Sequence, residues 1–240
     1  MNVRCRNGVT LSDLNVPAAL TLARYRSAPG RMVMPDVCCD LVWARGRLML
    51  AGPMTVARQS SNAGQNVTLL RLDPLIAYQW LRTPLRYFTD KLLPLEDVDK
   101  RLARDVEICR GEDALEYLVP PAGEPRVPQA DARMAAASNA LRRGTPVSQV
   151  AALVALSERQ LERRFVETFG MGPKMFARVL RFRKTIAAVK QDAPLAEAAA
   201  VGGYADQPHF TREVKAMTGR SPRDVLPHVG NIQDVAAGRM

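Results

Sequence analysis

The residues in this sequence best suited to chemistry are arginines, and they come in groups at helical spacing. Arg159, Glu162 and Arg163 stand three and four positions apart, so one helix would carry them on one face. An arginine fork can donate to O6 and N7 of guanine, and a glutamate can accept from N4 of cytosine. Arg163 is the strongest candidate for a base contact. Arg164 beside it is expected to meet a phosphate or a neighbouring carboxylate. In a second group, Gln207, Thr211 and Arg212 share an outward face. Glutamine can read adenine, threonine can touch the thymine methyl, and arginine can again read guanine. His209 has two expected roles of equal weight, a phosphate contact or local capping and packing. Between the groups lie Arg178, Arg181, Arg183 and Lys184, suited to phosphate contacts that fix register without reading sequence. A basic helix is often only a solvated face, and that alternative stands beside each assignment.

The remaining reactive side chains point elsewhere less firmly. The four cysteines are Cys5, Cys38, Cys39 and Cys109. None forms a C-x-x-C pair, so neither a zinc knuckle nor a disulfide scaffold is expected. Cys38 and Cys39 are adjacent, and on a strand their side chains would point to opposite faces. Reduced, partly buried thiols are the expectation. Asp36 and Asp40 flank them, but both of the chain's two histidines are C-terminal. With no histidine base or ligand spacing near, this segment is read as structural. Met32, Met34, Met49 and Met54 are expected to fill gaps in a core or interface. No catalytic residue, metal site or cofactor is expected.

The elements that must position the arginines follow from charge, breakers and periodicity. The chain has 240 residues and a net charge of +10, a balance that suits an acidic polymer as partner. From Ala130 onward there are 17 Lys or Arg against 10 Asp or Glu, whereas the first 129 residues carry 17 against 14. Most of the surplus is therefore C-terminal. Val119 to Pro128 holds four prolines and a glycine, which suits neither a helix interior nor a central strand. The expected organisation is an α+β domain over 1–118, a linker over 119–129, an all-α domain over 130–228 and a tail over 229–240. No apolar run could span a bilayer, and the N-terminus lacks a signal-peptide layout. A cytoplasmic protein without a membrane partner is expected.

Before the linker, strands are expected at Arg31–Pro35, Cys39–Trp43, Arg47–Ala51 and Val67–Leu72. Helices are expected at Pro74–Leu81, with Asp73 as N-cap, and at Arg101–Cys109. After it, helices are expected at Asp131–Arg142, Val147–Val154, Glu158–Thr168, Pro173–Lys190, Leu195–Gly202, Gln207–Met217 and Pro222–Leu226. Ser157 suits an N-cap, Gly170 and Gly219 suit helix ends, and Pro173 and Pro222 suit first turns.

Within this half the sequence repeats. Val147, Val150 and Ala151 match Leu195, Ala198 and Ala199. Leu161, Arg163 and Phe165 match Phe210, Arg212 and Val214, and Gly170-x-x-Pro173 matches Gly219-x-x-Pro222. The offset grows by one residue at the turn. Each copy reads as a short helix, a tight turn and a second helix, the layout in which the second helix enters a major groove. One connecting helix of about 18 residues, or about 27 Å, separates the copies. That length suits two reading helices on one side of a duplex.

These residues resemble the DNA-binding module of the AraC/XylS family of transcription regulators. The resemblance runs from Val147 to Leu226, through "VSQVAALVALSERQLERRFVETFGMGPKMFARVLRFRKTIAAV" and "PLAEAAAVGGYADQPHFTREVKAMTGRSPRDVL". Gly203-Tyr204, His209-Phe210 and Gly219-x-Ser-Pro222 follow the family's signature spacing. Val214 stands where the family usually has Phe, Ala198 where Ile is common, and Pro208 where a small polar residue is usual. The smaller core residues imply a less stable second unit. The resemblance implies base readers around Arg159, Glu162 and Arg163. "MPDVCCDLVWARGRLMLAGPMT" and "LRLDPLIAYQWLRTPLRYFTDKLLPLEDV" resemble a small domain that precedes this module in some members, with Val37 in place of the usual glycine. It implies a sensing or dimerising role. The expected partners are double-stranded DNA, RNA polymerase, a small-molecule effector at the N-terminal domain and a second copy of the chain.

Two other functions compete. A DNA-repair methyl acceptor fused to a similar module would need an activated thiolate, commonly held by clustered cysteines on zinc; the scattered cysteines argue against it. A helical protein-interaction domain would not bind duplex DNA at low salt.

Overall fold

The computed structural model describes residues 20–108, 115, 131–189 and 194–226. Its N-terminal part is built on β1 (Leu20–Arg26), β2 (Met32–Val33), β3 (Cys39–Ala44), β4 (Arg47–Ala51), β5 (Arg58–Gln59), β6 (Asn66–Leu72) and β7 (Leu92–Pro94), with α1 (Pro74–Leu81), α2 (Leu95–Val98) and α3 (Lys100–Ile108). Five strands form an antiparallel sheet in the order β1-β6-β3-β4-β7, and β2 and β5 pair as a separate ribbon. Strand alternation sends Cys39, Leu41, Leu70 and Leu72 to a face packed with Ala77, Leu81 and Leu95 of the helices. The opposite face carries Asp40, Val42, Leu69 and Arg71 towards the ribbon. Asp73 caps α1 by accepting from the Leu75 amide at 3.0 Å, as its sequence suggests.

β4 and α1 occupy the expected residues, and β3 and β6 each gain one. Only Met32 and Val33 of the Arg31–Pro35 segment are paired. β1 and β7 were not expected. Both lie at sheet edges: β1 ends in exposed arginines, and β7 contains a proline, which an edge tolerates. Cys5, Cys109, the linker at 119–129 and the tail lie outside the described residues.

The C-terminal part is helical: α4 (Ala132–Arg142), α5 (Val147–Leu153), α6 (Glu158–Phe169), α7 (Pro173–Ala188), α8 (Leu195–Val201), α9 (Gln207–Thr218) and α10 (Pro222–Val225). Ser157 and Gln160 form a reciprocal capping box, Asp206 accepts from the His209 amide at 2.6 Å, and Ser221 with Asp224 forms a second box. α6 and α9 stop at Gly170 and Gly219, whose φ values of 75° and 69° favour glycine. α7 is shorter than expected, because Val189 turns to extended backbone. Phe165 stacks on Phe169 at 4.1 Å and meets the edge of Phe176 at 5.1 Å. Phe176, Val179, Phe182 and Ile186 of α7 are buried, so one helix serves the cores of both units.

The two parts share a core. Met34, Val37 and Leu75 pack into the same buried cluster as Phe165 and Phe210. Polar contacts tie the N-terminal part to each helical unit. The Thr89 hydroxyl donates to the Gly170 carbonyl at 2.6 Å, and the Ala57 amide donates to the Met217 carbonyl at 2.6 Å. Arg142 pairs with Asp73 at 3.0 Å, and Arg183 with Asp36 at 3.5 Å.

Candidate nucleic-acid interface

The two copies of the sequence repeat fold alike. Between α5 and α6 the chain turns through residues 154–157, and between α8 and α9 through 202–206, so the second turn has the extra residue. Both turns are closed by the same bonds. Ala155 and Leu156 donate to Ala152 and Ala151 at 3.1 Å each, and Gly203 and Tyr204 donate to Ala200 and Ala199 at 3.1 and 2.9 Å. Each turn needs one residue with positive φ, namely Ala155 at 51° and Gly203 at 63°.

The second helix of each copy buries one face and exposes the other. On α6, Leu161, Phe165 and Phe169 are buried, while Arg159, Glu162 and Arg163 are exposed. On α9, Phe210, Val214 and Met217 are buried, Gln207 and Arg212 are exposed, and Thr211 is half-buried. Arg163 and Arg212 are each the sixth residue of their helix. Arg159, Arg163 and Arg212 form no hydrogen bond or ion pair with any described residue. α7 joins the copies with 16 residues, or about 24 Å.

Residues 150–227 match the family model of a helix-turn-helix domain. The C-terminal domain is a helix-turn-helix domain of the AraC type. Such a domain marks a DNA-binding transcription regulator. Curated proteins include no match to the chain. Among solved structures, ToxT from Vibrio cholerae O395 aligns at 11% identity over 90% of this chain and 100% of its own, with a TM-score of 0.44. The xylose-binding transcription activator xylR aligns at 22% identity over 40% of this chain, with a TM-score of 0.33; the chain spans 25% of that protein's length.

Several side chains singled out in the sequence are engaged inside the AraC-type domain. The Glu162 carboxylate lies against Gly172, the N-cap of α7, where the helix dipole favours negative charge. Arg164 pairs with Asp131 at 3.5 Å, both side chains being well exposed. His209 accepts from the Ala205 amide through Nδ1 at 3.4 Å and meets the Tyr204 ring edge-on at 5.3 Å.

The connecting helix turns most of its charge inward. Arg178 donates through Nε to Glu213 at 2.7 Å, and this bond raises its pKa. Arg181 sits over the Tyr204 ring at 4.5 Å and lies 3.7 Å from Glu213. Arg183 reaches Asp36, and Lys184 is exposed. Glu213 is only 6% exposed and binds α9 to α7. Sequence reasoning passed it over. Its signal is a carboxylate set three residues after Phe210 and four before Met217, on the buried stripe of an amphipathic helix.

The cysteine-rich segment lies between the two large buried clusters. Cys39 packs in the sheet core, and Cys38 points to the other cluster. Burial raises both thiol pKa values, and the nearby Asp36 and Asp40 raise them further. A thiolate nucleophile is therefore suppressed at both positions. Arg71 holds Asp40 with two bonds of 3.0 Å and reaches Asp36 at 2.7 Å. Among the described residues, no three His, Cys, Asp or Glu side chains gather as a metal site, and no helix is long and apolar enough to cross a membrane.

Proposed function

We propose that the chain is a sequence-specific regulator that reads two adjacent major grooves, one with α6 and one with α9. The observation that carries this reading is the pair Arg163 and Arg212. Both occupy the sixth position of a capped, exposed helix, both lack a hydrogen-bond or ion-pair partner among the described residues, and one helix, α7, lies between their units. Arg159 completes the first reading face, with Glu162 reaching a base only by leaving the N-cap of α7, and Gln207 and Thr211 complete the second. Arg164, Arg181 and His209, each already engaged within the protein, hold the reading helices in place. The region 1–118 senses an effector or pairs with a second copy, joined by the linker at 119–129 to the domain at 130–228, and RNA polymerase is the downstream partner.

The test is randomised-site selection with the wild type, Arg163→Ala and Arg212→Ala, repeated at two salt concentrations. Each bidentate arginine contributes about 1–3 kcal/mol of discrimination. Each variant is expected to relax base preference in its own half of an asymmetric site. Preference left intact, with only the salt slope changed, would mean that these arginines meet phosphate and that the groove assignment is wrong.

A further inference from the structure

The ribbon of β2 and β5 stands off the free face of the five-stranded sheet and encloses a cavity of about 230 Å³. This is smaller than the roughly 300–1,000 Å³ of drug-sized pockets. It exceeds the roughly 150 Å³ that accommodates benzene. The space therefore fits one ring with a short substituent. Val42, Leu69 and Leu92 supply apolar wall, and Arg58, Ser60 and Asn62 supply polar wall from one stretch of chain.

Charge decides what the substituent is. Asp36 and Asp40 are both matched, Asp40 by the two bonds from Arg71, and Asp36 by Arg71 and Arg183. Arg58 has no hydrogen bond or ion pair with any described residue; burial pulls its pKa down, and Asp40 and Asp90 act on it only from beyond contact distance. Arg31, stacked on Tyr25 at 4.2 Å, lines a smaller adjoining cavity with Arg183. Four arginines against two aspartates leave the combined lining with two surplus positive charges. A half-buried guanidinium with no carboxylate seated in its fork favours one that can fill it.

The walls of this cavity also hold the helical units. Ala57, next to Arg58 on the ribbon, donates to Met217 at the end of α9. Asp36 lines the cavity and grips Arg183 of α7. A ligand that displaces the ribbon or competes for this network shifts contacts to both helices.

We propose that this cavity binds a small organic carboxylate on a ring-sized apolar body, anchored by Arg58, and that binding is transmitted to α7 and α9 through Asp36 and Ala57. The transmission rests on the DNA-binding reading above; the binding does not.

The experiment is calorimetric titration of the full chain with cyclohexanecarboxylate, cyclohexylmethanol and cyclohexylmethylamine, three probes of one size. The carboxylate is expected to bind at least about tenfold more tightly than either of the others. Arg58→Gln is expected to abolish that preference while leaving DNA affinity without ligand unchanged. Cyclohexanecarboxylate is also expected to shift the DNA affinity of the wild type. In Arg183→Met the titration should persist with a smaller shift. Equal binding of the three probes, no binding of the carboxylate, or a preference that survives Arg58→Gln overturns the ligand assignment. Carboxylate binding that leaves DNA affinity unmoved overturns the transmission. A chain that binds no duplex sinks the regulator reading and leaves the titration to stand on its own.

Discussion

The turn of the first unit holds an alanine where its twin holds a glycine, and this can be measured. Ala155 and Gly203 occupy equivalent positions, with φ of 51° and 63° and matching hydrogen bonds. A left-handed residue with a Cβ costs roughly 1–2 kcal/mol. Replacing alanine by glycine removes that cost but adds about 0.5–1 kcal/mol of unfolded-state entropy. Ala155→Gly is therefore expected to stabilise the protein by about 0.5–1 kcal/mol. In a chain of this size that raises Tm by about 2 °C. Gly203→Ala is the mirror experiment. A Cβ built there meets no atom within 4 Å, so the whole effect is conformational and should destabilise by a similar amount. Urea denaturation of the three proteins, followed by far-UV circular dichroism, measures both. If Ala155→Gly destabilises, or Gly203→Ala is neutral, the left-handed turn is not what limits these units.

Glu213→Ala should leave Arg178 and Arg181, both more than a third exposed, without their carboxylate and cost about 1–2 kcal/mol, the scale of a charge-assisted bond partly screened by solvent; a change below about 0.5 kcal/mol in chemical denaturation would show that the pair adds nothing to stability. Arg181→Ala should weaken DNA binding while leaving the salt slope unaltered, whereas loss of a phosphate contact lowers that slope by about one unit. Gly170→Ala places a Cβ against the Thr89 hydroxyl and the Leu85 carbonyl on a residue with φ of 75°, so faster proteolysis at the boundary between the two parts is expected. In a Cys5→Ser, Cys109→Ser background, the native protein should resist Ellman's reagent at pH 8, since burial holds the Cys38 and Cys39 thiols protonated; labelling as fast as in denaturant would contradict this.

Local signals made the helical half legible. Ser157, Asp206, Gly170 and Gly219 set helix limits through bonds that span four residues or fewer, and the repeat marks out the exposed faces of α6 and α9. What escaped depends on distance along the chain. β1 pairs with β6, some 46 residues away in register, and Arg24 and Arg26 hide its alternation. Pairing of Met32 with Gln59 makes the ribbon, and neither segment alone has strand length. The pairing of Arg181 with Glu213 and of Arg183 with Asp36 joins elements distant in sequence and has no local signal. Arg58 borders a cavity whose other walls come from strands distant in sequence.

The helix α7 is at once a ruler and a protractor. It runs unbroken between the units, and its buried residues serve both cores. Each residue added to it would lengthen the span by about 1.5 Å and also rotate one unit against the other by about 100°. A single insertion would therefore turn the exposed face of α9 away from that of α6 rather than simply move it along the same line. Only changes near a whole number of turns keep both faces aligned, and seven residues add about 10.5 Å, or about three base-pair steps of about 3.4 Å. Under the proposed two-groove reading, the distance between half-sites is thus adjustable only in coarse jumps, and fine drift in operator spacing falls to the DNA.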